Sequence, residues 1–149
     1  NKYPEEIDHM ASHIGVAYGL VSILRGTATD ISQGQLRVPS ESLINKGLPL
    51  TFHRNLLNSA TSSQKLSVED EKKFKDIIFD IASQAHGHLD RARTLQTNIP
   101  SSYLSKSIYA LLPAVFASHY LEELRKVDFN PLDPVLLNPS NQFWIQLEL

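Results

Sequence analysis

The residues best equipped for chemistry gather near the end of the first apolar-patterned segment, Gly19-Leu20-Val21-Ser22-Ile23-Leu24-Arg25-Gly26-Thr27-Ala28-Thr29-Asp30. Arg25 and Asp30 put a guanidinium and a carboxylate close together in sequence. Two uses of that pair stand side by side. In one, Arg25 is a cation at a helix C-terminus, where it meets the negative end of the dipole, and Asp30 is a loop residue accepting from nearby backbone N–H groups. In the other, both line a pocket. His9 and His13 stand four apart, so on a helix they share a face and can in principle hold Zn²⁺. No glutamate follows His9 in an H-E-x-x-H pattern and no third ligand is evident, which favours packing or hydrogen bonding. His86 and His88 are two apart and point to different helix faces. Lys72, Lys73 and Lys75 read as solvated helix surface. There is no cysteine, so disulfides, thiolate metal sites and a cysteine nucleophile are excluded.

Three long helical segments must position these groups. The first runs from about Pro4 to Leu24. Pro4, Glu5 and Glu6 suit a first turn, and Ile7, Met10, Ile14, Ala17, Val21 and Leu24 recur at three- and four-residue steps. Gly15 and Gly19 weaken this helix and allow a close approach on their face, by a packed helix in preference to a ligand. Gly26 to Pro39 has loop chemistry. Ser40 can cap a short helix that Gly47 ends, and Pro49 to Leu57 forms another short piece. Residues 59–66 read as an exposed linker. The second long helix opens at Ser67 in a capping box, with Glu69–Lys73 and Glu71–Lys75 as acid-before-base pairs. Its buried stripe is Phe74, Ile77, Ile78, Ile81, Ala85, Leu89, Ala92 and Leu95. The third starts after Pro100, capped by Ser101, and reaches about Val127. Its stripe is Leu104, Ile108, Leu111, Val115, Tyr120, Leu121 and Leu124, with a kink expected at Pro113. Pro131 and Pro134 close the helical part, and the tail bearing Trp144 docks as a short helix or strap. No convincing strand pattern and no repeat interrupts this, so the fold class is all-α. Ile14, Val21, Ile78, Ile81, Leu89, Leu111 and Leu121 are expected to be buried together.

At 149 residues the chain suits one domain with a real core. A net charge of −2 gives no electrostatic reason to expect nucleic acid. The longest apolar stretches, Ile14 to Leu24 and Ser107 to Ser118, fall short of the roughly 20 residues of a membrane span. The chain starts at Asn1 with no visible signal or transit peptide, which reads as a portion of a longer protein.

The Gly19–Asp30 stretch resembles the second aspartate-rich motif of the squalene/phytoene synthase family, N-x-x-R-D-x-x-x-D. Gly34 to Pro39 (GQLRVP) is similar to the family's G-R-x-Y-L-P, and Leu43, Gly47 and Leu48 follow at its spacing. Ala82 to Arg93 and Ile99 to Phe129 look like its last two core helices. The resemblance covers almost the whole chain and implies the C-terminal part of one isoprenoid synthase-like helical domain, residues 1–149. In that family the two aspartate motifs bind Mg²⁺, which neutralises a prenyl diphosphate so that the leaving group can depart. Here Ser22 stands at the asparagine position, Arg25 is kept, Gly26 replaces the first aspartate, and Asp30 remains. The resemblance therefore implies a vestigial prenyl-diphosphate and metal motif, with no catalytic residue, no resident metal and no cofactor. Mg²⁺ enters only under the alternative of an active prenyl transferase. Asp8 to Gly15, Asp80 to His86 and Arg125 to Phe129 look like a mitochondrial branch of the family associated with assembly of respiratory complex I. That branch implies a non-catalytic protein with protein partners at the matrix side of the inner membrane, peripheral to it or chaperone-like, with room for a prenyl lipid. A structural component of a larger mitochondrial assembly is the third reading.

Overall fold

A computed structural model describes residues 5–62, 65–104 and 108–138. Among the described residues the helical stretches are, in chain order, α1 (Glu5–Ser32), α2 (Ser40–Asn45), α3 (Phe52–Thr61), α4 (Val68–Gln96), α5 (Ser101–Leu104), α6 (Ile108–Lys126) and α7 (Pro134–Leu137). Among the described residues there is no strand, as the all-α pattern requires.

The frame is α1 packed antiparallel on α4. Met10 and Ile14 near the start of α1 cluster with Ala92 near the end of α4, whereas Val21 and Leu24 share the main core with Phe74, Ile77 and Ile78. α6 lies along both and runs with α1, since Leu111 reaches the Met10 cluster while Leu121 and Leu124 join the main core. α2 and α3 close one end through Leu43, Phe52 and Leu56. The Phe52 ring lies 5.7 Å from that of Phe74. The buried residues expected as one group therefore split in two. Val21, Ile78, Ile81, Leu89 and Leu121 belong to the main core, while Ile14 and Leu111 belong to the second cluster. A 28-residue helix is about 42 Å long, longer than one cluster covers.

Ser67 caps α4 as its sequence indicates, with the Asp70 amide donating to Ser67 Oγ at 3.0 Å. Glu69–Lys73 and Glu71–Lys75 close at 2.7 and 3.1 Å. Lys75 is more than solvated surface, because it also reaches Asp128 at 3.3 Å and ties α4 to the turn after α6.

Several boundaries differ from the sequence expectation. α1 does not give way to a loop at Gly26. It continues to Ser32 because Leu24, Thr27, Asp30 and Ile31 extend its buried face, and burial outweighs the low helix propensity of Gly and Thr. Ser40 is the first residue of α2, not its cap; Pro39 holds the cap position without a side-chain bond. α3 starts at Phe52 and runs through Thr61, into the stretch expected as linker, and Leu66 packs on the core. The helix expected from Ser101 is described as α5 and α6, with residues 105–107 between them outside the described ones. Val115 is 59% exposed because the inner face of α6 follows Ala114, Ala117, Leu121 and Leu124, one position round the helix. Pro134 opens α7 instead of closing the helical part, with Asp133 capping through Val135 N at 2.9 Å. The Ile108 side chain and the Trp144 tail lie outside the described residues.

Three helix ends share one device. After α1, Gln35 N donates to Asp30 O and Gly34 N to Ile31 O, with Gly34 at φ +74°. After α2, Leu48 N donates to Leu43 O and Gly47 N to Ile44 O, with Gly47 at φ +70°. These are Schellman ends, in which a left-handed residue lets the chain turn back on its own last carbonyls. The end of α6 has the same bonds, Phe129 N to Leu124 O and Asp128 N to Arg125 O, but without glycine. Asp128 and Phe129 both take positive φ, at 53° and 54°. The edge-on contact of Phe129 with Phe79, 4.9 Å between ring centres, helps to hold that strained turn.

Two outcomes test this frame. Ile81→Asp places an unpaired charge in the main core and is expected to cost several kcal/mol, enough to unfold a domain of ordinary stability; circular dichroism reads the loss of helix. Asp128→Gly is expected to be neutral or to stabilise by up to about 1 kcal/mol by relieving the left-handed strain, whereas Asp128→Val is expected to destabilise. Equal denaturant midpoints for the two variants would contradict the turn geometry.

Candidate functional site

The Arg25–Asp30 region lies on the last turns of α1, and its groups do not act as one pair. Asp30 is a helix residue with its side chain only 3% exposed. Its Oδ1 takes an ion pair from Arg37 Nη2 at 2.9 Å. Arg37 comes from the segment beyond the Gly34 turn and is itself 62% exposed, so the cation stays wet while the carboxylate does not. Sequence reasoning did not single out Arg37, although it stands within the GQLRVP stretch. The signal was a tight glycine turn that doubles an arginine back on the aspartate before it.

Asp30 Oδ2 is buried and, among the described residues, has no hydrogen-bond partner. It points at Gly26, one turn earlier, where a methyl group on the glycine would lie 3.5 Å from that oxygen. A side chain at position 26 would therefore sit directly beside Oδ2, and an aspartate there would set two carboxylates side by side. Such a pair calls for a cation between or in front of it. With glycine, the arrangement is one carboxylate half neutralised by a guanidinium. It can hold a proton donor or a cationic group at its free oxygen, and it is a poor base for several Mg²⁺ ions.

Ser22 Oγ donates to Tyr18 O at 2.8 Å and so serves its own helix. Arg25 is exposed and in the body of α1, not at the C-terminus, because the helix runs on to Ser32. Its charge acts instead on Tyr120 of α6. Burial pushes the Tyr120 phenol up to about 12, with the Arg25 cation opposing.

The histidines are arranged differently from any Zn²⁺ pairing of His9 with His13. His13 Nδ1 lies 2.8 Å from His88 Nδ1 across the α1–α4 interface. His86 faces the other way and pairs with Asp90 at 3.0 Å. Among the described residues no group of three or more His, Asp or Glu is placed to hold a metal.

A cleft of about 480 Å³ opens between α1, α4 and α6. Ile14, Leu89, Leu111 and Val115 give it apolar walls, with His119 and Glu122 among its polar lining. Arg93, also on its wall, is held by Asp90 at 2.9 Å and Ser118 at 3.1 Å. Sequence reasoning placed Val115 in the core; its exposure is what gives α6 this wall. Ile14 and Asp30 are about 24 Å apart along α1, so the cleft and the Asp30 carboxylate are separate features.

The Asp30–Arg37 pair generates a prediction. Arg37→Ala leaves a buried carboxylate unpaired and is expected to cost about 1–3 kcal/mol. Adding Asp30→Asn is expected to recover part of that loss. Denaturant unfolding of the two single variants and the double variant measures the coupling, and strictly additive losses would count against the pair.

The chain matches the Squalene/phytoene synthase family over residues 2–141. It is 33% identical over 129 residues to NADH dehydrogenase (ubiquinone) complex I, assembly factor 6 of Rattus norvegicus, an alignment covering 87% of this chain and 34% of the relative. The Drosophila melanogaster homolog of that factor is 32% identical over 147 residues, 94% of this chain and 39% of the relative. Presqualene diphosphate synthase of Zymomonas mobilis is 27% identical over 146 residues, 95% of this chain and 44% of that protein. The chain thus spans about a third of the length of the first of these curated relatives. No solved structure matches significantly. The family match runs from before α1 to beyond α7, through both the Gly26–Asp30 turn and the Arg37 segment, and the chain belongs to the squalene/phytoene synthase family.

Proposed function

We propose that this protein is a non-catalytic squalene/phytoene synthase relative that acts in assembly of mitochondrial respiratory complex I. The observation that carries the non-catalytic half is Gly26 beside the free oxygen of Asp30. Departure of a diphosphate needs several positive charges held against it by hard oxygen ligands. One buried carboxylate already engaged by Arg37 cannot supply that set from this motif. The assembly half is supported by similarity to proteins named as complex I assembly factor 6 from mammals to Drosophila melanogaster. On this reading the protein works in mitochondria at the matrix side of the inner membrane, as a peripheral, chaperone-like scaffold. None of its described helices is long and apolar enough to cross a bilayer. Its partners are components of complex I or of another mitochondrial complex, and it needs no Mg²⁺ or other cofactor.

A second reading is prenyl-lipid handling, either binding alone or transfer with an unusual metal site. The cleft between α1, α4 and α6 favours the binding form, because its apolar walls can take an acyl or prenyl chain. The similarity to presqualene diphosphate synthase keeps the transfer form in play.

Two measurements separate these. The full-length protein with Mg²⁺ and farnesyl or geranylgeranyl diphosphate is expected to release no diphosphate. Turnover that disappears in Asp30→Asn would establish a working motif and sink the non-catalytic reading. In cells, loss of the protein is expected to lower assembled complex I on native gels while sterol and carotenoid levels stay unchanged. Normal complex I with depleted squalene or phytoene would refute the assembly role, and normal values of both would point to a structural component of another mitochondrial assembly.

A further inference from the structure

We propose that His13 and His88 form a pH-sensitive clasp between α1 and α4, closed at neutral pH and released on acidification. The two Nδ1 atoms face each other at 2.8 Å, with the ring centres 5.0 Å apart and the rings tilted by 43°. A hydrogen bond at that distance requires one Nδ1 to carry a hydrogen and the other to offer a lone pair. The neutral pair meets this with one ring in each tautomer. A singly protonated pair meets it too, as imidazolium donating to imidazole. A doubly protonated pair cannot, since both Nδ1 atoms then carry hydrogens and both rings are positive. The pair must part, and the two protons enter in coupled steps that belong to the pair, not to either ring.

The surroundings push in the same direction. Burial, then His88 and Arg91 from α4, then His9 one turn earlier on α1, hold His13 below the ordinary histidine value of 6.5. Arg91 is always charged, so it opposes a proton on His13 at every pH. His86, on the opposite side of α4, has Asp90 3.0 Å away and keeps an attractive partner when protonated. A group whose proton affinity is lowered by folding contributes stability above its unfolded value. That contribution is lost as pH falls from about 6.5 through the lower folded value.

The position of the pair gives the release a consequence. The next residue after each histidine, Ile14 and Leu89, is buried and lines the cleft. Ile14 also packs with Met10, Ala92 and Ile99 in the second cluster. Opening the clasp therefore loosens the α1–α4 wall of the cleft at Ile14 and at Leu89, the end of the main core away from Phe74, Ile77 and Ile78.

The test is made on the full chain, with ¹⁵N-labelled histidine. At about pH 7.5 a ¹⁵N–¹⁵N coupling across the hydrogen bond is expected between His13 and His88, and it is expected to vanish at about pH 5. Thermal midpoints between those two pH values give a second readout. His88→Gln and His13→Gln keep hydrogen-bonding capacity but do not titrate at that side chain. Wild type is expected to lose about 2–4 °C more than either variant on acidification. Absence of the coupling at neutral pH, or the same midpoint loss in wild type and variants, would overturn the clasp. If one variant fails to fold, the other and the wild-type coupling decide.

Discussion

The whole arrangement hangs on the antiparallel contact of α1 with α4. Taken alone, α1 is a weak helix: it carries Gly15, Gly19 and Gly26 together with Thr27 and Thr29, each below alanine in helix propensity. What keeps it helical for 28 residues is a row of positions at or near zero exposure, Ala17, Val21 and Leu24, facing Ile77, Ile78 and Ala85 of α4. Burying each large aliphatic side chain contributes about 1.5–3 kcal/mol, more than one glycine costs. Small residues at Ala17, Ala82 and Ala85 let the two axes come close. Because the helix survives past Gly26, Asp30 is held in a buried last turn and not in a mobile loop.

The glycine-mediated ends then carry the consequence of that packing into the site. A helix that stopped at Leu24 would leave Asp30 in water, with nothing to pair and nothing to conceal. Carried on to Ser32 and turned back at Gly34, the chain brings Arg37 round to the one carboxylate that burial has taken out of water. The α6 end achieves the same reversal with Asp128 and Phe129, and its strain is offset by contacts to α4 from Lys75 and Phe79. Turn chemistry and helix packing are coupled here, since each reversal is supported by a residue on the frame or leads back to one.

How much of this could be read in advance follows from what kind of information each feature uses. The stripe from Phe74 to Ala92 was legible because periodicity is a local signal, and all seven of its first positions are buried. The Ser67 cap was legible for the same reason. The end of α1 was not, because Gly26, Thr27 and Thr29 have loop-like local preferences and only tertiary burial of Thr27, Asp30 and Ile31 overrides them. Val115 was misjudged by about 100° of helix rotation, a small error where a proline interrupts the pattern. At the site, Ser22 and Gly26 stand out only through the family resemblance, and Arg25 and Asp30 through it together with their charges. The partner that matters to Asp30 is Arg37, beyond a turn. The His13–His88 contact joins residues 75 apart in sequence, which no local spacing rule reaches.

Asp30 itself argues for a changed use of the motif. A carboxylate taken fully into the protein is costly unless both oxygens are answered, and here one is. A second aspartate at position 26 would worsen the electrostatics and would require metal ions to offset them. With glycine there, the counter-ion that Asp30 has among the described residues is Arg37, on one of its two oxygens. At position 26 a Cβ would stand 3.5 Å from the free oxygen, in ordinary contact with it. The free oxygen can accept from one hydrogen-bond donor or face one cationic group, and a single carboxylate offers hard cations fewer oxygen ligands than a pair would.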